Sequence, residues 1–236
     1  MKIFAKIRFY WGAFILSFII LALMIPLITI FPKKKGPIMH YLNRIIIFLM
    51  GGRLEQVGTA DPNADLIVMN HQGVVDIVGM EALQKGHYRW VAKKELFDMP
   101  WFGHLLKRGD MISIERENKA GLLKMIRDVK ESIEVKHRAV AIFPEGTRSK
   151  GQKLLSFKSG AKFIASKLGL SVQPIVVTGS KHLFNEHDKT AHNSTVRYTY
   201  LPTIDVKEAS DEWYAEMRES MQKVIDDELA HHHRSR

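Results

Sequence analysis

The sequence predicts an α/β fold: a mixed, largely parallel sheet flanked by helices, preceded by an N-terminal helical segment that anchors the chain to a membrane. Three observations predict it. From about Arg53 onward, short β-branched apolar runs alternate with longer helical patterns, as βαβ units do. Near the N-terminus, residues 10–31 form a run of 22 positions without a charge. The 236 residues include no cysteine, which removes disulfide scaffolds, thiol nucleophiles and Cys-ligated metal sites. The expected division is a membrane-anchoring pair of helices over 1–52 and an α/β domain over 53–236.

The uncharged run would span about 33 Å as a helix, close to the hydrocarbon thickness of a bilayer. It is too long for a secretory signal, and no small-x-small cleavage site follows it. Lys2, Lys6 and Arg8 precede it and Lys33, Lys34 and Lys35 follow it, so flanking charge assigns no orientation. Pro26 lies inside the run and predicts a kink. A second apolar segment, 38–50, has only 13 residues and carries Arg44. That is short for a span and fits an interfacial helix or the return arm of a hairpin.

Buried strands are predicted at LIVMN (66–70), RWVAK (89–93), MISIE (111–115), AVAIF (139–143) and QPIVVTG (173–179), because their apolar runs are continuous. TVRYTYL (195–201) alternates and reads as a late strand. Helices are predicted at roughly 73–84, 95–107, 119–135 and 158–168. A polar, acidic helix over 211–230 closes the chain.

The formal net charge is +10, and the mean hydropathy of −0.11 averages an apolar anchor with a polar domain. Residues 1–58 hold 8 basic side chains against 1 acidic, and residues 85–174 hold 19 against 9. The first excess suits an anionic membrane surface, the second a phosphorylated substrate. Residues 175–236 are acidic on balance, 8 basic against 11 acidic, and no nucleic-acid-binding motif is visible. The terminal HHHRSR reads as a solvated tail, so no metal site is expected.

Two loops carry candidate chemistry. Asn70-His71-Gln72-Gly73-Val74-Val75-Asp76 follows the strand at 66–70 and opens a helix. Active sites lie at that strand edge in open α/β sheets. A turn between His71 and Asp76 would let the carboxylate hold one imidazole nitrogen and leave the other as a general base. Taken alone, a His-x4-Asp reads rather as an N-capping cluster in which Asn70 or His71 satisfies helix amides. Phe143-Pro144-Glu145-Gly146-Thr147-Arg148-Ser149 follows the strand at 139–143. It gathers a carboxylate, backbone amides and a guanidinium suited to phosphate, or it is an ordinary turn with an internal Glu–Arg pair. Lys94 and Arg116 lie near strand ends, and alone each reads as a surface charge.

In their order and spacing these blocks resemble the glycerolipid acyltransferase family, specifically the bacterial type of 1-acyl-sn-glycerol-3-phosphate acyltransferase. NHQGVVD resembles the first block, GDMISIER the second, FPEGTRS the third and QPIVVTG the fourth. KKELFDMPWFG and FKSGAKFIA also fit, so the resemblance covers about 70–179. Gly73 departs from the serine common in members, and the second block here ends Glu-Arg rather than Asp-Arg.

The resemblance implies acyl transfer from acyl-CoA or acyl carrier protein to the sn-2 hydroxyl of lysophosphatidic acid, giving phosphatidic acid. It implies no other cofactor and a place at the cytoplasmic face of the inner membrane. His71 and Asp76 would be catalytic. Arg116, Glu145, Gly146, Thr147 and Arg148, with Lys94, would form the acceptor site. No Cys and no Gly-x-Ser-x-Gly elbow is present, so a covalent acyl-enzyme is not indicated. An apolar slot for acyl chains is expected around 101–106. The rival readings are another lysophospholipid or glycerol 3-phosphate as acceptor, a membrane-tethered lipid- or nucleic-acid-binding module, and a metal-dependent hydrolase using His71, Asp76 and Glu145.

Overall fold

The computed structural model describes residues 2–85, 87–115 and 119–232. The N-terminal run forms one continuous helix of 29 residues, Lys2–Ile30, long and apolar enough to cross a membrane by length and composition. It comprises α1 (Lys2–Phe18), a wider π-helical stretch (Ile19–Met24) and α2 (Ile25–Ile30). Pro26 stands near the start of α2, directly after the π-helical stretch. Proline lacks the donor a regular ladder needs, and a π-helical turn re-registers that ladder. After a 3-10 turn (Pro32–Lys34), α3 (Lys35–Leu49) runs back against the first arm. The segment 38–50 thus lies within a return arm packed on the first one.

The hairpin is two-faced. Ile15, Ile19, Met24 and Ile28 from the first arm and Met39, Ile46 and Ile47 from the second are buried in the protein core. Phe4, Trp11, Phe14, Phe18, Tyr41 and Phe48 are exposed. Spacings of three and four residues collect each set on its own side.

The eight-stranded sheet is built from β1 (Gly52–Val57), β2 (Leu66–Met69), β3 (Arg89–Lys93), β4 (Ile112–Ile114), β5 (Val140–Ile142), β6 (Ser171–Thr178), β9 (Ser194–Tyr200) and β10 (Ile204–Asp205). Its order is β1-β9-β6-β2-β5-β3-β4, with β10 beside the start of β6. All pairings on the main path are parallel except β6 with β9. A small hairpin of β7 (Phe184–Asn185) and β8 (Thr190–Ala191) stands apart. The helices are α4 (Val74–Leu83), α5 (Lys94–Asp98), α6 (Phe102–Arg108), α7 (Lys119–Glu134), α8 (Ser159–Leu168), α9 (Ser180–Leu183) and α10 (Trp213–His232).

The central strands sort their side chains by period two. Ile67, Met69, Ala141, Ile175 and Val177 enter one core, shared with the N-terminal hairpin and α4. Leu66, Val68, Val140, Val172 and Val176 enter the other, under α7, α8 and α10. Each fully buried aliphatic of this size stabilises the fold by roughly 1.5–3 kcal/mol. Because β2 is covered on both sides, its sequence is a continuous apolar run rather than an alternating one.

Two sequence expectations need correction. The helix expected over 95–107 is two short helices, α5 and α6. Pro100 favours extended backbone at Met99, which has ψ 134°, and Trp101 then takes φ 64°. Gly103 follows the break closely enough that a Cβ there would lie 2.1 Å from the Phe97 carbonyl. The strand β1, GRLEQV, was not foreseen. It is the sheet's edge strand, with mixed polarity and no buried residue.

Candidate active site

β2 and β5 are hydrogen-bonded parallel neighbours, so the loops leaving their C-terminal ends meet. Asn70, fully buried at the end of β2, extends the ladder with its side chain. Its Nδ2 donates to Val177 O at 2.9 Å, and its Oδ1 accepts from Val177 N at 2.7 Å. The next residue, His71, is thereby fixed at the sheet edge. The His71 ring stacks on Phe143, with centroids 3.9 Å apart, and Phe143 in turn stacks on Trp90 at 5.2 Å.

Asp76 is completely buried. Its Oδ2 accepts from His71 Nδ1 at 2.8 Å, Gln72 N at 2.6 Å and Gly73 N at 2.9 Å. Its Oδ1 accepts from Ser180 Oγ at 2.6 Å. Burial alone would raise this carboxyl's pKa. The hydrogen bond and charge of His71, with the bonds from Ser180 and Gly73, outweigh it and hold the pKa below the ordinary carboxylate value. Asp76 also caps α4 from its N3 position, because the N-cap residue Gly73 has no side chain to do so. One carboxylate thus both caps α4 and holds the His71 imidazole. With Nδ1 engaged, Nε2 is the nitrogen His71 offers to solvent or ligand.

Glu145 is placed otherwise than the resemblance implies. It is buried, and its two oxygens accept from the backbone amides of His71 (3.1 Å) and Leu155 (2.9 Å). It does not line the cavity described below. Its geometry is that of a brace between the two loops, reinforced by Ser149 N donating to His71 O at 2.9 Å. The Gly146 amide closes a turn onto Phe143 O at 3.0 Å with Gly146 at φ 69°. Lys94 is more than half exposed, pairs with Glu115 and lies outside the cavity wall. Arg116 and the last four residues of the tail lie outside the described residues. Among the described residues, no three His, Asp or Glu side chains converge as a metal site requires.

A cavity of about 1100 Å³ opens beside His71. Gly146, Thr147 and Arg148 line it with His71, as do Lys93, Lys158 and Glu186, three residues the sequence did not single out. The rest of its wall is mostly apolar and includes Ile20 and Met24 of the first arm, Met39 of α3, and Phe102, Leu105 and Leu106 of α6. The slot expected around 101–106 is therefore there in part. Trp101 is exposed and takes no part in it. Arg148 is ion-paired with Glu186.

A family model described as Acyltransferase matches residues 44–178, more than half of the chain. The chain belongs to the acyltransferase family. Over 186 residues it is 41% identical to the 1-acyl-sn-glycerol-3-phosphate acyltransferase of Helicobacter pylori, covering 78% of this chain and 77% of that one. It is 28% identical over 202 residues to the Escherichia coli protein of the same name, covering 84% and 81%. The crystal structure of the 1-acyl-sn-glycerophosphate acyltransferase of Thermotoga maritima has the same fold. It matches with a TM-score of 0.77 over 95% of this chain and 96% of that one, at 20% identity. This acyltransferase thus carries its family's first and third blocks on two adjacent strand ends, His71 on one and the Gly146–Arg148 turn on the other.

Proposed function

We propose that this acyltransferase transfers a fatty acyl group from a thioester donor, acyl-CoA or acyl carrier protein, to the sn-2 hydroxyl of lysophosphatidic acid. The observation that carries the proposal is the pairing of His71 Nδ1 with buried Asp76 at 2.8 Å, on the wall of a cavity that also holds Arg148.

His71 Nε2 takes the proton from the acceptor hydroxyl as its oxygen attacks the thioester carbonyl. Asp76 keeps the ring in the tautomer that leaves Nε2 unprotonated and stabilises the imidazolium that forms. The tetrahedral intermediate collapses with loss of the thiolate, which receives the proton back from His71. The oxyanion needs donors not already committed. The amides of Thr147 and Arg148 have no acceptor among the described residues. Arg148 supports binding of the acceptor phosphate with a fork of charged donors, and Lys93 and Lys158 add positive charge to the same wall.

The apolar wall accommodates an acyl chain, and its residues from the π-helical stretch and α3 let that chain enter from the lipid side. The exposed aromatic face of the hairpin, with Lys2, Lys6, Lys33 and Lys34 beside it, supports binding to an anionic membrane surface. The hairpin's other face is buried in protein, which favours lying in one leaflet over crossing the bilayer.

The test is a liposome assay with purified protein, labelled acyl-CoA or acyl carrier protein, and a panel of lysolipid acceptors. Labelled phosphatidic acid, formed preferentially from lysophosphatidic acid, is expected. A protein that binds liposomes but forms no labelled lipid with either donor is a binder, and the proposal fails. Preference for an acceptor without a phosphate monoester would remove the role given to Arg148.

A further inference from the structure

No sequence motif marks Glu186, yet its surroundings are specific. It sits in the turn between β7 and β8, whose shape is fixed from within. Asn185 Oδ1 accepts from His187 N at 3.1 Å and Asp188 N at 2.9 Å. The hairpin rests on the membrane arm. Phe184 is buried in the first core and stacks on Phe9 of α1 with centroids 4.5 Å apart. From that platform Glu186 reaches two targets with two oxygens. Oε1 accepts from Val74 N, the first residue of α4, at 2.7 Å. Oε2 accepts from Arg148 Nη1. Gly73 leaves room for the approach: a Cβ there would lie 3.2 Å from Glu186 Oε1, a tight contact that the carboxylate would have to ease by a few tenths of an ångström.

The Arg148 and Glu186 side chains are 50% and 32% exposed. Exposed ion pairs of this kind contribute only about 0–1 kcal/mol to stability, so this one is better explained by what it orients. Only Nη1 of the five-donor guanidinium fork is engaged by Glu186. We propose that Glu186 is a positioning residue for acceptor binding. It holds the Arg148 guanidinium over the cavity by one nitrogen, so that the remaining donors meet the phosphate monoester of the acceptor. Being anionic, Glu186 acts through Arg148 and does not touch the phosphate. The same carboxylate fixes the start of α4 at Val74, two residues before Asp76, and the two halves of the site are thereby held in register. The proposal rests on the acyl-transfer reading above.

The test is a double-mutant cycle in the liposome assay, using full-length Glu186→Ala, Arg148→Ala and the double variant. Glu186→Ala should raise the KM for lysophosphatidic acid about tenfold, the scale of one lost bond to a charged group. Its kcat should stay within about threefold and its KM for acyl-CoA should not move. In the Arg148→Ala background the further change in acceptor KM should be under about twofold, because the residue through which Glu186 acts is gone. Additive effects, or parallel rises in both KM values with a lowered Tm, would reduce Glu186 to a structural residue. A fall in acceptor KM would make it a competitor of the phosphate. Either result overturns the proposal. Glu186→Gln, which keeps one carbonyl oxygen for two donors, should give an intermediate KM and serves if the alanine variant does not fold. A wild-type protein that forms no phosphatidic acid defeats the acyl-transfer reading itself, whereas an active wild type with an additive cycle defeats only the role of Glu186.

Discussion

Two side-chain pairs serve the same cavity, and they are built differently. His71–Asp76 is set into the sheet edge. Asp76 is completely buried, and both its oxygens are filled by donors from the loop, the imidazole and α9. Arg148–Glu186 bridges two surface loops, half in water. The first arrangement suits a proton transfer that must find the same geometry at every turnover. The second suits recognition of a ligand that enters and leaves. Substitutions at the first pair should therefore damage rate, and at buried Asp76 stability as well, while those at the second should change affinity alone.

His71→Ala should show the largest effect, a fall in kcat of roughly 10²–10⁴, with circular dichroism and liposome sedimentation unchanged. Retention of more than a few per cent of turnover would remove His71 as the base.

Asp76→Asn should lower kcat less and lower stability more, by about 1.5–3 kcal/mol, as when buried donors lose a charged acceptor. Its pH dependence carries a sign. The folded carboxyl has the lower pKa, so its contribution is complete above the ordinary aspartate value of about 4 and fades as pH falls further. The Tm gap between wild type and Asp76→Asn should narrow on acidification. A gap constant from neutral to acid pH would mean that ionisation of Asp76 does not support the fold.

Arg148→Ala should raise the KM for lysolipid about ten- to a hundredfold and leave donor KM and Tm unchanged. Equal shifts for both substrates would collapse the distinction between the two pairs. The smallest effect is expected at Ile20→Trp, in the apolar wall. It should shift acyl-chain preference by several-fold toward shorter chains, since each methylene left unburied costs about 0.8 kcal/mol. An unchanged chain profile would place the acyl tail elsewhere.

Much of this arrangement could be read before folding. The strands at 66–70, 139–143 and 173–179 were legible because sheets covered on both faces write continuous apolar runs. The loops after them were legible because chemistry in open α/β sheets collects at those edges. What escaped is non-local. Ser180 is 104 positions from Asp76 and Glu186 is 38 from Arg148. Only the return of β6 and the small hairpin after it bring them in. The brace formed by Glu145 escaped for another reason: its partners are backbone amides, which leave no mark in a sequence. The break between α5 and α6 was announced by Pro100 and was missed because the flanking apolar pattern continued through it.

The first arm supplies Ile15, Ile19, Met24 and Ile28 to the same core as Met69 and Val177, and Ile20 and Met24 to the cavity wall. The anchor is therefore not a tether that can be shed. Trimming it to obtain a water-soluble fragment would unroof the reaction chamber and strip one face of the sheet of its cover. On the membrane-bound reading proposed above, bilayer fluidity becomes a variable of turnover itself, because the arm whose outer face meets lipid has its inner face in the cavity wall.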